Sequence, residues 1–185
     1  MGIGLRGRRF LVVLAAAVVA VTTALGWLIA SQRAADPVDR LAFIKNRVRL
    51  QFPSAPQLST EALARRLDVG EEIVLLDVRE PEEYAVSHLP GAVRVDPGAH
   101  PALPEGVDSS LPVVAYCSVG WRSSHWVEGL RSQGIDAMNL EGSIFQWVAE
   151  DRPLKRDEET VYVVHPYSRA WSWLVNPEDR AFAPH

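Results

Sequence analysis

The sequence predicts an α/β protein, a small parallel sheet covered by helices on both faces and preceded by an N-terminal transmembrane helix. Between residues 57 and 154, short apolar runs alternate with segments of helical spacing, the pattern of crossovers that bury a parallel sheet on both sides. Residues 10–30 form a stretch of 21 residues without a charge, and at about 1.5 Å per residue a helix of that length crosses a bilayer core of about 30 Å. The single cysteine, Cys117, ends an apolar run just ahead of a helical one, at the carboxyl end of a strand where open α/β sheets place their sites.

From the amino terminus, residues 1–9 are a short basic tail with Arg6, Arg8 and Arg9 and no acid. Residues 10–30 read as a signal anchor that stays in the lipid bilayer. The competing reading is a cleaved signal peptide, whose apolar region is normally about 7 to 15 residues with small residues before the cut. Leu28-Ile29-Ala30 is a poor cleavage site and Arg33-Ala34-Ala35 a passable one. The tail arginines keep the amino terminus in the cytoplasm and place the domain outside it, in the periplasm, although Arg33, Arg40, Lys45, Arg47 and Arg49 blunt the asymmetry.

Residues 31–56 are a juxtamembrane helix and linker. Asp36 reads as an N-cap, Pro37 as a first-turn proline, and Val38, Leu41, Ile44 and Val48 recur at helical spacing up to Pro53. The basic side of this helix faces lipid headgroups, or it is a solvated face while the apolar side packs on the domain. Pro53 and Pro56 then make a rigid connector.

The domain proper, 57–154, reads as a helix over 60–67 stopped by Gly70, a strand over 73–78, a helix over 81–87 and a strand over 93–95. After a proline-rich loop come a strand over 111–116, a helix over 123–132 closed by Gly134, a strand over 137–140 and a helix over 143–150. Residues 155–185 are an aromatic C-terminal extension. In it Val161 and Val163 alternate as a short strand, His165 sits in a turn, and Tyr167, Trp171 and Trp173 pack on the core or meet a membrane surface or partner.

With 185 residues, 48% hydrophobic and 23% charged, the chain has room for one domain with a proper core plus extra segments. Once Arg6, Arg8 and Arg9 are set aside, 16 basic residues stand against 23 acidic ones, so no nucleic-acid partner is expected. One cysteine allows no internal disulfide, and there is no CxxC or His/Cys cluster to suggest a metal.

A strand that ends at a thiol and turns into a helix aims main-chain N–H groups and the positive end of the helix dipole at the sulfur. Thiolate is the nucleophilic form, and its pKa falls at helix N-termini and beside arginine. With Arg122 five residues on, Cys117 therefore reads as a reactive nucleophile. From position alone, a buried structural cysteine is the alternative.

Four blocks in order, Ile73-Val-Leu-Leu-Asp77-Val-Arg79-Glu-Pro-Glu-Glu-Tyr84, Ser87-His-Leu-Pro-Gly-Ala92, Tyr116-Cys-Ser-Val-Gly-Trp-Arg-Ser123, and Asn139-Leu-Glu-Gly-Ser143 with Trp147, resemble the rhodanese-like (sulfurtransferase) domain. The resemblance covers about residues 57–154. Ser143 stands where that family often has a second glycine, and Ser87 where a glycine commonly precedes the histidine at His88; neither departure touches the thiol.

The resemblance implies that Cys117 takes the outer sulfur of thiosulfate or a persulfide donor, becomes a persulfide, and passes that sulfur to a thiophilic acceptor, a small thiol or a protein thiol. It implies that amides of Ser118, Val119, Gly120, Trp121, Arg122 and Ser123 cradle the sulfur anion, with Gly120 relieving the steric cost of turning amides inward. Arg122 either adds charge for an anionic donor or holds the loop through a salt bridge. Asp77 is read as accepting from loop amides or Arg122, and Arg79 as pairing with an acid such as Glu83, both fixing the crevice wall. His88 is not needed as a base, because amides already stabilise the thiolate. Ser118, Val119 and Trp121 shape the pocket, and Trp121 makes it partly apolar, which suits a donor larger or less polar than thiosulfate. No metal or organic cofactor is implied.

A membrane-tethered sulfurtransferase is the leading class. A non-catalytic interaction module and a Cys-dependent phosphatase or arsenate reductase are the alternatives; the phosphatase cradle is longer than the one between Cys117 and Arg122.

Overall fold

In the computed structural model, which describes residues 37–183 and Thr22, the chain begins with helix α1 (Pro37–Gln51), strand β1 (Gln57–Leu58), helix α2 (Thr60–Asp68), strand β2 (Val74–Asp77) and helix α3 (Pro81–Val86). It continues through β3 (Val93–Arg94), β4 (Val113–Tyr116), α4 (Trp121–Ser132), β5 (Ala137–Leu140), α5 (Ser143–Ala149), β6 (Leu154–Arg156) and β7 (Glu159–Val161). Two 3-10 turns follow at Ser172–Leu174 and Pro177–Asp179. Apart from Thr22, the anchor expected over 10–30 lies outside the described residues; among the described residues, no helix is long and apolar enough to cross a membrane.

Five strands pair in parallel in the order β1-β5-β4-β2-β3. The edge strand β1 is absent from the sequence reading because Gln57–Leu58 is too short to carry a strand pattern; it forms by pairing Gln57 with Asn139 and Leu58 with Leu140. The strand expected around Val161 and Val163 is instead β7, folded back antiparallel on β6 through Asp157 at φ +49°. That hairpin is tied to the sheet domain where His88 and Lys155 exchange two backbone hydrogen bonds of 2.8 Å.

Side chains alternate across the sheet, which divides the core. Val114 and Tyr116 enter one half with Leu63, Phe145 and Trp147, whereas Val113, Ala115 and Cys117 enter the other with Trp126, Val127 and Leu130 of α4. Cys117 thus continues the parity of β4 and falls on the α4 side. α2 opens on a side-chain cap, with Ser59 Oγ accepting the Ala62 N–H at 3.1 Å.

The helix expected beside the membrane packs on the domain. Leu41 belongs to the first half of the core, Val48 and Phe52 to the second, and Ile44 packs against both. Full burial of a leucine such as Leu41 contributes roughly 1.5 to 3 kcal/mol, and Ile44, Val48 and Phe52 add to it in docking the helix on the domain. The tail docks as well: Leu174 and Val175 are buried, the Ser87 hydroxyl donates to the Val163 carbonyl at 2.6 Å, and the Arg40 guanidinium donates to the Trp173 carbonyl. His165 is buried, not in an open turn, with its ring edge-on to Phe182 at 5.6 Å.

Candidate active site around Cys117

Beyond β4 the chain cannot pass straight from Cys117 into α4; it must turn through Gly120, which caps the helix at φ +102°. A Cβ there would meet Asn139 Nδ2 at 3.1 Å, so the turn needs glycine for both its conformation and its space. The turn aims the Gly120 N–H at Cys117 Sγ, 3.2 Å away, and the Ser123 amide also stabilises the sulfur. The Ser123 hydroxyl donates to Asn139 Oδ1 at 2.6 Å, and Asn139 Nδ2 donates to Gln57 Oε1 at 2.6 Å, so edge strand β1 braces the cradle from behind.

The first turn of α5 holds the loop from the other side. The Cys117 N–H donates to Ser143 Oγ at 3.2 Å, and that hydroxyl donates to the Leu140 carbonyl at 3.1 Å. Ile144 N–H and Phe145 N–H, free because they open a helix, donate to the carbonyls of Cys117 and Ser118, each at 3.2 Å. Ser143 sits at φ +53°, a left-handed position where glycine costs less. The substitution that looked remote from the thiol is thus bonded to the main chain of the cysteine.

Burial pushes the Cys117 thiol up, but the Arg122 charge and the hydrogen bonds from Ser123 and Gly120 outweigh it and hold the thiol below its ordinary range. Arg122 donates to both carboxylate oxygens of Glu83, at 2.8 and 2.9 Å, and to Ser118 Oγ at 3.0 Å. The Ser118 hydroxyl in turn donates to Glu83 Oε1 at 2.8 Å, and the Glu80 N–H to Glu83 Oε2 at 3.1 Å. Although burial raises the Glu83 carboxyl, these partners bring it below the usual carboxylate range, so it is ionised at neutral pH.

This pairing corrects the expectation for Asp77 and Arg79. Asp77 bonds neither the loop nor Arg122, and Arg79 does not take Glu83. Arg79 Nε and Nη2 reach the Asp77 oxygens at 2.8 and 2.6 Å, both side chains being fully buried, and Nη2 also donates to the Ser87 carbonyl at 2.6 Å. Asp77 and Arg79 are two residues apart in extended chain and so project to the same side, where they meet first. Glu83, in the first turn of α3, is left to the cysteine loop. His88 stacks on Tyr84, ring centroids 4.0 Å apart and 5° from parallel, and does not line the space over Cys117.

That space is a cavity of about 460 Å³. Its domain side is Cys117, Ser118, Val119, Trp121, Arg122 and Phe145, while Gly120 and Ser123, which bond the sulfur, are not part of the lining. Its other walls are Phe43, Ile44 and Arg47 from α1 and Tyr167 and Trp171 from the tail, none of which the sequence connected to the thiol. Trp121 is held edge-on by Phe52 at 5.3 Å, and the Tyr167 ring lies 5.0 Å from the Arg122 guanidinium.

Residues 59–150 match the family model of the rhodanese-like domain. The putative sulfurtransferase YtwF of Bacillus subtilis is 36% identical over 97 residues, covering 52% of this chain and 94% of that protein. This chain belongs to the rhodanese-like domain family. The rhodanese-like region is also 30% identical over 103 residues to a sulfurtransferase of Allochromatium vinosum, covering 55% of this chain and 96% of that one. Among solved structures, a rhodanese-like domain from Anabaena is similar at 26% identity and a TM-score of 0.50, covering 57% of this chain and 83% of that one. Thiosulfate sulfurtransferase from Pseudomonas aeruginosa shares the fold at 22% identity and a TM-score of 0.54, covering 71% of this chain and 25% of the other. Helix α1 and the tail residues Tyr167 and Trp171 lie outside the rhodanese-like match.

Proposed function

We propose that this rhodanese-like protein is a sulfurtransferase that carries sulfane sulfur from thiosulfate or a persulfide donor to a thiophilic acceptor as a persulfide on Cys117. The observation that carries this reading is the Cys117 sulfur itself, held by the Gly120 amide at 3.2 Å on the floor of a cavity and stabilised as thiolate. The thiolate attacks the donor's outer sulfur. A new S–S bond forms, the bond between that sulfur and the donor's body breaks, and its electron pair leaves with sulfite or a thiolate. An acceptor thiolate then attacks the outer sulfur of the Cys117 persulfide, and Cys117 departs as thiolate with the electron pair of the broken bond. The cradle amides stabilise the anion in both forms. Relatives named as sulfurtransferases support the same chemistry.

Incubating the full chain with thiosulfate and weighing it intact tests this. One added sulfur atom is expected, absent in Cys117→Ser; a Cys117→Ser protein that gains the same mass, or a wild-type protein that no sulfane donor loads, overturns the reading. Attachment to a membrane through residues 10–30, with the domain outside the cytoplasm, is part of the proposal and rests on the uncharged stretch and the tail arginines. Release of the chain from membranes by alkaline carbonate would exclude the anchor, and a fusion at His185 active only as a cytoplasmic reporter would exclude that sidedness.

A further inference from the structure

The reactive thiol lies under a roof that the family domain does not supply. Phe43, Tyr167 and Trp171 of the flanking segments are 68, 49 and 37% exposed, Trp121 of the domain is 45% exposed, and all four line the cavity whose wall includes Cys117. Single exposed aromatics are ordinary on a protein surface, but a group of them around a concave site marks ligand contact. At about 460 Å³ the cavity falls in the range of organic-ligand sites, roughly 300 to 1,000 Å³, far beyond what a small inorganic anion fills.

The charges lead the same way. Arg122 is bonded to the Glu83 carboxylate through both terminal nitrogens, so with the thiolate the floor carries one net negative charge. Tyr167 covers the Arg122 guanidinium at 5.0 Å. Arg47, exposed on α1, is the other cation of the lining and forms no ion pair with a described residue. A dianion entering this space would exchange water for aromatic walls and meet a single free positive charge, whereas a donor with an apolar body and one negative charge gains from both.

We propose that the sulfur donor of this site is an organic sulfane compound with an apolar, ring-sized body, seated between α1 and the C-terminal tail with its transferable sulfur toward Cys117. The inference rests on the persulfide reading of Cys117 and adds the substrate class and the two segments that select it. Phe43, Ile44, Tyr167 and Trp171 receive the body, and Arg47 in the wall offers its charge to the donor's anion.

Benzenethiosulfonate and methanethiosulfonate make a matched pair of probes. They have the same charge and the same reacting group, and differ in the body. The step with either is a balanced transfer: the Cys117 thiolate bonds the outer sulfur, the sulfur–sulfur bond of the thiosulfonate breaks, and the sulfinate leaves with its electron pair. Loading of the full chain is followed by intact mass, and each rate is divided by the rate of the same probe with a simple thiolate in water. The corrected second-order loading constant is expected to favour the benzene probe by about tenfold or more, the range a shaped apolar pocket gives. In Phe43→Ala and Trp171→Ala, both changes at partly exposed positions, the ratio is expected to fall toward one. A ratio near one in the wild type, or a ratio that neither variant moves, overturns the inference and leaves sulfur transfer intact. Failure of both probes and of thiosulfate to load Cys117 overturns both.

Discussion

Arg122 grips the Glu83 carboxylate with both terminal nitrogens, so the cation beside the nucleophile is itself neutralised by an acid from a different helix. The pair has two consequences. It fixes the loop between Cys117 and α4, and it limits how much positive charge the site offers to an incoming anion.

The Cys117 thiol should titrate below its ordinary range, because the Arg122 charge and the hydrogen bonds from Ser123 and Gly120 outweigh its burial. A thiol whose pKa is lowered in the fold stays ionised until the pH falls through that lowered value, so reactivity should persist on acidification past the point where free cysteine loses it. Iodoacetamide alkylation of the one cysteine against pH measures this. Arg122→Gln removes the largest of the stabilising influences and should move the midpoint upward; an unchanged midpoint would show that the amides alone set it.

Glu83 has its folded pKa below the ordinary value, so its contribution to stability is present above the unfolded carboxyl pKa and lost as pH falls through the folded one. Wild type should therefore be more stable than Glu83→Gln at neutral pH, the difference should begin to shrink below a pH of about 4, near the unfolded glutamate value, and it should vanish once the pH has passed below the folded one. Denaturant midpoints across that range check it.

Asp77 and Arg79 form a fully buried pair. Asp77→Asn leaves the guanidinium charge uncompensated and should cost about 3 to 5 kcal/mol in denaturant unfolding. The double change Asp77→Leu with Arg79→Met should recover much of that loss, since apolar replacement of a buried pair is often neutral. A double change as damaging as the single one would show that the pair orders the β2 end beyond its electrostatics.

Gly120→Ala should reduce sulfur loading by tenfold or more, because a Cβ at φ +102° would press on Asn139 Nδ2 and turn the amide away from the sulfur, each ångström of misplacement costing about 10²-fold. Normal loading by this variant, measured by intact mass against time, would remove the Gly120 amide from the mechanism.

At Ser143 two effects separate. Both Ser143→Ala and Ser143→Gly remove the acceptor for the Cys117 N–H, at a cost of about 1 to 3 kcal/mol for a buried unpaired group. The glycine variant also relieves the φ +53° conformation and should unfold about 1 kcal/mol later than the alanine variant. Equal stability of the two would mean that the backbone relaxes when the hydroxyl is lost.

The chain's own order of residues was enough to place β5 at 137–140, the end of β4 at the cysteine, and the helix that follows it, because alternation and helical spacing are local properties that neighbours along the chain impose on one another. The same local information singled out Cys117, whereas the part of Gly120 came from the resemblance to a known family. It could not choose partners. The two-residue spacing sets Asp77 and Arg79 on one side of the chain, but nothing local says which acid meets Arg122, and only the packing of α3 against the loop brings Glu83 there. Nor could it bring residues 43–47 and 167–171, more than 100 positions apart, over one sulfur atom. That meeting depends on Leu41, Val48, Leu174 and Val175 burying apolar surface in a shared core, and a contact made through a third body is decided by the tertiary structure alone.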